Sequence, residues 1–378
     1  MKICGIIVEY NPMTNGHLYH IQQAKKLCQP DLLVAIMSGN FTQRGEPAIV
    51  DKWQRSKAAI LNGVDLVIEL PFAFACESAD YFAQGAIEIL KALHTDTIVF
   101  GTETLTPQIL EELLEKLQTK TYQTDVEQFM KQGYSYPQAT AKAFKTHDIF
   151  MPNDLLGLAY AKEIAKQQAN INIMTIQRTN HYHDNIEGSS ASSLRQRLHH
   201  GQSILDLSPM TCTGYLHHSE ELFDPLYQKL MLTDAKALAK IHLVSEGIEA
   251  RLKEKIQTAT SMEDFLNKVK TRRYTSPRLL RTFVHILINY QYSPREEQHI
   301  GYIRILGASR KGQKALRQLK KQTSPPIISN FKDIAHPHLD LELQVAKLYA
   351  LAYPISQRPH IIQQEYATPP YLETKENV

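Results

Sequence analysis

The sequence predicts an α/β fold: a doubly wound parallel sheet built from residues 1–200, followed by a mostly helical C-terminal domain over 201–378. The first observation behind this is an alternation of short apolar runs with helix-period stretches. Ile3–Val8, Asp31–Ser38, Asp65–Pro71, Thr97–Gly101 and Ile171–Arg178 read as strands set among such stretches. The second is that the opening strand breaks into a tight turn and runs straight into a helix. The third is that strand signal fades beyond Gly201, leaving Glu220–Leu252 and Met262–Tyr290 with helical patterning.

The elements follow in order. Ile3-Cys4-Gly5-Ile6-Ile7-Val8 has the β-branched bias of a strand buried on both faces. Proline cannot extend a ladder, so Tyr10-Asn11-Pro12 ends it. Thr14, Asn15 and Gly16 supply turn and cap chemistry, and His17, Leu18, Ile21, Ala24 and Leu27 recur at helical spacing. After the second strand comes a polar loop, Gly39–Ala48, holding Asn40, Gln43, Arg44, Gly45, Glu46 and Pro47. Loops at that end of a parallel strand are where open α/β sheets bind ligands. Lys52–Leu61 is a helix ended by Asn62-Gly63. Ser78–Leu93 is an amphipathic helix, and Thr97–Phe100 closes on Gly101, which by itself reads as a turn glycine. Thr106–Gln168 is a helical insertion broken at Tyr134–Pro137, with Asn153 or Asp154 capping Leu155–Gln167. The fifth strand ends in Arg178, whose guanidinium fork suits a phosphate or an adenine-side contact. Gly188–Ser193 is a serine-rich lead into a helix over Leu194–His199.

The opening strand–turn–helix carries the chemistry. Unpaired N–H groups at a helix N-terminus point into the turn, and the helix dipole favours an anion there. Gly16 allows close approach. His17 and His20 lie three apart and share a helix face, so imidazole N–H donors could meet a phosphoryl group. P-loop and dinucleotide glycine patterns are both absent.

These residues carry a resemblance. Thr14-Asn15-Gly16-His17 resembles the [HT]-x-G-H signature of the nucleotidyltransferase and class I synthetase superfamily, which implies a nucleotidyltransferase-like (HIGH-type) sheet. Val8-Glu9-Tyr10-Asn11-Pro12, then Asn15-Gly16-His17 and His20, with Ser38-Gly39-Asn40-Phe41-Thr42-Gln43-Arg44-Gly45-Glu46-Pro47, resembles the bacterial tRNA(Met) cytidine acetate ligases more closely. The likeness runs through most of the chain and thins toward the C-terminus. It implies ATP-dependent activation of acetate as acetyl-adenylate. The acetyl group then passes to N4 of the wobble cytidine of elongator tRNA(Met), giving N4-acetylcytidine. ATP is the implied cofactor, with Mg2+ admitted as an escort for its phosphates.

The site residues implied are His17 and His20 as catalytic groups. The nucleotide would be bound by Ile7, Val8, Glu9, Tyr10, Asn11, Pro12, Met13, Thr14, Asn15, Gly16, His17, Leu18, Tyr19 and His20, together with Gly101, Asn153, Arg178, Ser192 and Arg195. Ser192-Ser193-Leu194-Arg195 resembles the serine-rich segment ending in arginine that grips the β- and γ-phosphates in nucleotidyltransferases. The threonine usual after the serine pair is absent here.

Composition sets the bounds. The net charge is only +3, so an RNA surface must come from local clustering. Lys268–Arg281 holds such a cluster, with Arg272, Arg273 and Arg278 to neutralise phosphates and Tyr274 to stack on a splayed base. Arg304 and Arg310–Lys321 continue the basic theme. Cys4, Cys28, Cys76 and Cys212 form no CxxC pair, and His181, His183 and Asp184 are loosely spaced, so no metal centre or disulfide framework is expected. No signal peptide opens at Met1 and no apolar run is long enough to span a bilayer, so a cytoplasmic setting with no membrane is expected. No protein partner is expected. Two other functions share parts of this reading. A small-molecule adenylyltransferase needs the N-terminal chemistry without the basic helices. A non-catalytic RNA-binding protein on the same fold needs the helices without His17 and His20.

Overall fold

The computed structural model describes residues 1–144, 151–177, 190–291 and 298–374. Five parallel strands form the body of its sheet: β1 (Ile3–Val8), β2 (Leu32–Ser38), β3 (Leu66–Leu70), β4 (Thr97–Thr102) and β5 (Asn172–Gln177). Their order is β5-β4-β1-β2-β3, so the winding reverses between β1 and β4 and leaves a crevice at the carboxyl ends of those two strands. β2 is buried at every position, as an uninterrupted apolar run requires of a strand covered on both faces. Its Leu32, Val34 and Ile36 pack with Ile87, Leu90 and Leu158 on one face. Leu33, Ala35 and Met37 pack on the other face with Ile21 and Ala24 of α1 (Asn15–Cys28) and Ala59 and Ile60 of α2 (Lys52–Leu61). Between β4 and β5 lie the helices Pro107–Leu117, Lys120–Lys131, Tyr136–Phe144 and Pro152–Lys166.

The rest of the chain is mostly helical. Leu226, Leu252, Phe265, Phe283 and Val345 meet in a second core, which also receives Phe41 and Phe72 from the sheet half. The long helices expected over Glu220–Leu252 and Met262–Tyr290 are shorter pieces, divided by breaks such as Gly247, a left-handed N-cap, and the stretch Lys270–Thr275. A larger difference is β6 (Ile303–Ala308), a fully buried strand that runs antiparallel to β3 and extends the sheet. β7 (Ile327–Ile328) and β8 (Tyr371–Leu372) pair with β6 in turn. Arg304 hides this strand from a hydropathy reading. It is 1% exposed rather than part of a basic surface, and its guanidinium donates to Glu69 at 2.9 Å and Glu365 at 2.6 Å. Lys52 closes the buried network, 2.6 Å from Glu69 and 2.8 Å from Glu365. Among the described residues no helix is long and apolar enough to cross a membrane.

Candidate nucleotide site and neighbouring arginines

The turn after β1 is held from beneath. Tyr10 takes a left-handed φ of 51° and the Asn11–Pro12 peptide is cis. Arg55 of α2, fully buried, donates to the carbonyls of Glu9 at 2.8 Å, Ser38 at 3.0 Å, Val50 at 3.2 Å and also Gly39. One cation therefore ties the carboxyl ends of β1 and β2 together, and hydrogen bonds to a charged donor are among the stronger ones available. The Asn11 side chain accepts from the Ile49 amide at 2.7 Å, and the buried Ser208 hydroxyl donates to Met13 O at 2.6 Å. Tyr10 and Met13 are fully buried in this turn.

Thr14 caps α1. Its hydroxyl accepts from the His17 amide at 3.3 Å, and the Thr14 amide donates to His17 Nδ1 at 3.0 Å. Histidine thus takes the place that glutamate usually holds in a capping box. Because Nδ1 accepts from an amide, the ring proton of neutral His17 belongs on Nε2. That gives His17 a defined N–H donor at the end of the helix where the amides of the first turn lack intrahelical acceptors. His20 is held differently: its Nε2–H donates to Val99 O at 3.0 Å, tying α1 to β4. A role for His20 against phosphate needs that bond exchanged.

β4 brings the next residues in. Beyond Gly101, the Glu103 carboxylate accepts from the Asn153 side chain and, at 3.2 Å, from the Asp154 amide. Asp154 returns the contact, accepting from the Glu103 amide at 2.9 Å and the Thr104 amide at 3.2 Å. Asn153 therefore stands at the carboxyl end of β4, and Asp154 fixes it there; the helix begins at Pro152 with Met151 as its N-cap, so neither residue is the cap that the sequence suggests. Arg178 lies outside the described residues. The helix Ala191–His199 is capped by Ser190. From it, Arg195 donates to Asn11 O at 2.8 Å, to Glu46 at 2.9 Å and to Ser192 Oγ at 3.3 Å. Ser192 and Arg195 thus meet the β1 turn, and Arg195 joins it to the loop after β2.

Glu9 faces the same loop and accepts from the Gln43 amide at 2.6 Å; burial raises its carboxyl above the ordinary value. The Gln43 side chain donates to Glu77 O at 2.8 Å. Glu77 begins a buried cluster that its sequence does not announce, 2.6 Å from His242 and 3.7 Å from His285. Burial would raise Glu77, but His242, His285 and Arg281 outweigh it and hold the carboxyl below its ordinary value. Burial pushes His285 down to about 4. The three could in principle hold a metal ion. Glu77 and His242 stand 2.6 Å apart, however, closer than the roughly 3.3 Å between ligand atoms around zinc.

The expected RNA-binding stretch is only partly exposed. Tyr274 is 5% exposed, and the Arg278 guanidinium lies 4.0 Å from its ring centroid. Its hydroxyl donates to Ser245 O. It is a core residue and offers no face to a base, which corrects the stacking role. Arg272 stacks on Tyr134 of the insertion at 5.3 Å, and Arg273 pairs with Glu246 at 2.9 Å.

Residues 1–365 match the HIGH Nucleotidyl Transferase family. A tRNA(Met) cytidine acetate ligase of Geobacillus is 40% identical over 99% of this chain and 100% of its own length. This chain belongs to that ligase family of HIGH nucleotidyl transferases. A Bacillus cytotoxicus member is 41% identical over 91% of the chain and 96% of its own. The Thermotoga maritima TmcAL structure bound with alpha-thio ATP superposes with a TM-score of 0.88 at 30% identity, covering 99% of this chain and 100% of that one. Its apo form gives 0.84 at 29% identity, covering 98% and 99%. The α/β architecture and the HIGH-type turn are therefore family features.

Proposed function

We propose that this chain is an ATP-dependent ligase that activates acetate and acetylates N4 of the wobble cytidine of elongator tRNA(Met). The observation that carries the reading is end-to-end likeness to ligases of that activity, with the turn–helix site intact within it. In the first step an acetate oxygen attacks the α-phosphorus of ATP, and the bond to pyrophosphate breaks. His17 Nε2–H and the first-turn amides of α1 stabilise the charge that develops, a task positioned donors do without covalent chemistry. The β1 turn, Gly101 and Asn153 line the nucleotide, with Arg178 beyond β5, while Ser192 and Arg195 face the leaving pyrophosphate. In the second step cytidine N4 attacks the acetyl carbon, AMP leaves, and N4 loses a proton. This needs the base unstacked and presented to the pocket. Mg2+ would escort the phosphates; no carboxylate pair is assigned to it.

The test is exchange of labelled pyrophosphate into ATP, with acetate beside a panel of other acids, followed by transfer of labelled acetate to elongator tRNA(Met). Acetate-selective exchange and tRNA labelling are expected. No exchange with acetate, whether or not tRNA is present, would refute the reading.

A further inference from the structure

The loop between β2 and α2 is fixed from several sides. Thr42 N donates to Glu46 O at 2.9 Å and Gly45 N to Thr42 O at 2.9 Å, closing a tight turn. Gln43 is held by Glu9 and Glu77, and its own carbonyl accepts from Arg281 at 3.0 Å. Gly45 has a φ of 81°, and a Cβ there would come within 2.3 Å of the Arg281 amide. The loop thus lies directly on the backbone of the helix Ser276–Ile288, and only glycine permits the approach. From Gly39 to Ala48 every residue is buried or half-buried except one, Arg44.

Arg44 makes no hydrogen bond or ion pair among the described residues, unlike Arg195 and Arg273 nearby. A rigid, buried loop therefore presents a single unpaired guanidinium. On one side is Glu9, whose carboxyl feels the Arg44 charge. On the other is the helix Ser276–Ile288, with Arg272 and Arg273 just before it and Arg278 in its first turn. A fixed, unpaired arginine suits a phosphate, to which it can donate two parallel hydrogen bonds.

We propose that Arg44 is a substrate-positioning residue that grips an RNA backbone phosphate next to the reactive cytidine, joining the Arg272–Arg278 stretch to the nucleotide site. This rests on the tRNA reading above.

The experiment measures tRNA affinity across a salt series for wild type, Arg44→Gln and Arg44→Lys, together with the ratio of acetyl transfer to acetate-dependent pyrophosphate exchange. For Arg44→Gln we expect roughly fivefold weaker tRNA binding and a log–log salt slope shallower by about 0.7–0.9, the value of one phosphate contact. The transfer-to-exchange ratio should fall with it. Arg44→Lys should restore the slope and only part of the ratio, since lysine keeps the charge and loses the fork. Unchanged affinity and slope in Arg44→Gln would overturn the proposal. So would a loss of exchange in step with transfer, which would place Arg44 in adenylate formation. Wild type lacking exchange while Arg44→Gln still weakens tRNA binding would remove the ligase reading and leave the phosphate contact standing.

Discussion

Replacing His17 separates two functions that its ring combines. Nδ1 accepts from the Thr14 amide at 3.0 Å and completes the α1 cap, while Nε2–H is the donor assigned to the transferring phosphoryl group. Loss of a helix cap costs about 1 kcal/mol. By the per-residue entropy of unfolding, that shifts the melting temperature of a chain this long by about 1 °C. Loss of one preorganised donor to transition-state charge costs about 3 kcal/mol, or roughly 10²-fold in rate. His17→Ala should show both effects. His17→Gln should show only the second, because a glutamine at this helix position reaches back to the cap amide as in an ordinary capping box. The assay is acetate-dependent pyrophosphate exchange at saturating ATP, paired with thermal unfolding and a tRNA-binding isotherm. tRNA affinity should hold in both variants. Exchange within threefold of wild type in His17→Gln would refute the phosphate role of the imidazole.

Other outcomes follow from the same contacts. Arg55→Met removes the common donor of four main-chain carbonyls beneath the nucleotide turn and should cost about 3–5 kcal/mol in urea unfolding; a loss under 1 kcal/mol would mean that water or another side chain takes its place. Glu342 is pushed up to about 8 by burial and by the charge of Glu69. Its folded value lies above its unfolded one, so its contribution is complete below the ordinary carboxyl range and is lost as pH rises through about 8. Glu342→Gln should therefore flatten the fall in stability between about pH 5 and 8, and an unaltered profile of denaturant midpoints would count against this. Arg272→Gln should weaken tRNA binding and reduce the salt slope by about 0.7–0.9, whereas Arg273→Gln should do less because Glu246 already compensates that charge; equal effects would show that the pair opens on binding.

The β1 turn was legible because its determinants are local. An apolar run, a proline and a Thr-x-x-His cap lie within a few residues of each other, and the structure has β1 and α1 where that pattern puts them. What the ring of His17 does was legible only in part. The sequence places it on the helix, while the tautomer depends on an amide that only the folded turn brings to Nδ1. Arg55 was not legible at all. Its acceptors are carbonyls, which every residue has, so no spacing marks an inward-facing arginine. The Glu77–His242–His285 cluster was hidden for the opposite reason: its residues are distinctive, but three distant segments supply them. Cys4 and Cys28 are similar, their thiols 3.3 Å apart because β1 and the last turn of α1 pass each other.

β6 shows why hydropathy and fold part company after Gly201. Strands β1 to β4 announce themselves because both faces bury apolar side chains. Ile303-Arg304-Ile305-Leu306-Gly307-Ala308 carries two residues that a strand reading penalises, and each is accounted for by a neighbour from elsewhere in the chain. At Gly307 a Cβ would stand 2.5 Å from the Ser56 hydroxyl, so α2 can sit close only if that position is bare. Arg304 is tolerated in a core because Glu69 and Glu365 surround it and hydrogen-bond it, the condition under which a buried cation persists. Glu365 in turn is held down to about 2: burial alone would raise it, and Lys52 and Arg304 more than reverse that. Lys52 and Glu69 come from the first half of the chain, Arg304 and Glu365 from the second. Removing either half would leave ions buried without partners, several kcal/mol apiece. The change of composition near Gly201 therefore divides two kinds of sequence, while the sheet and the charges beneath it draw on both halves of the chain.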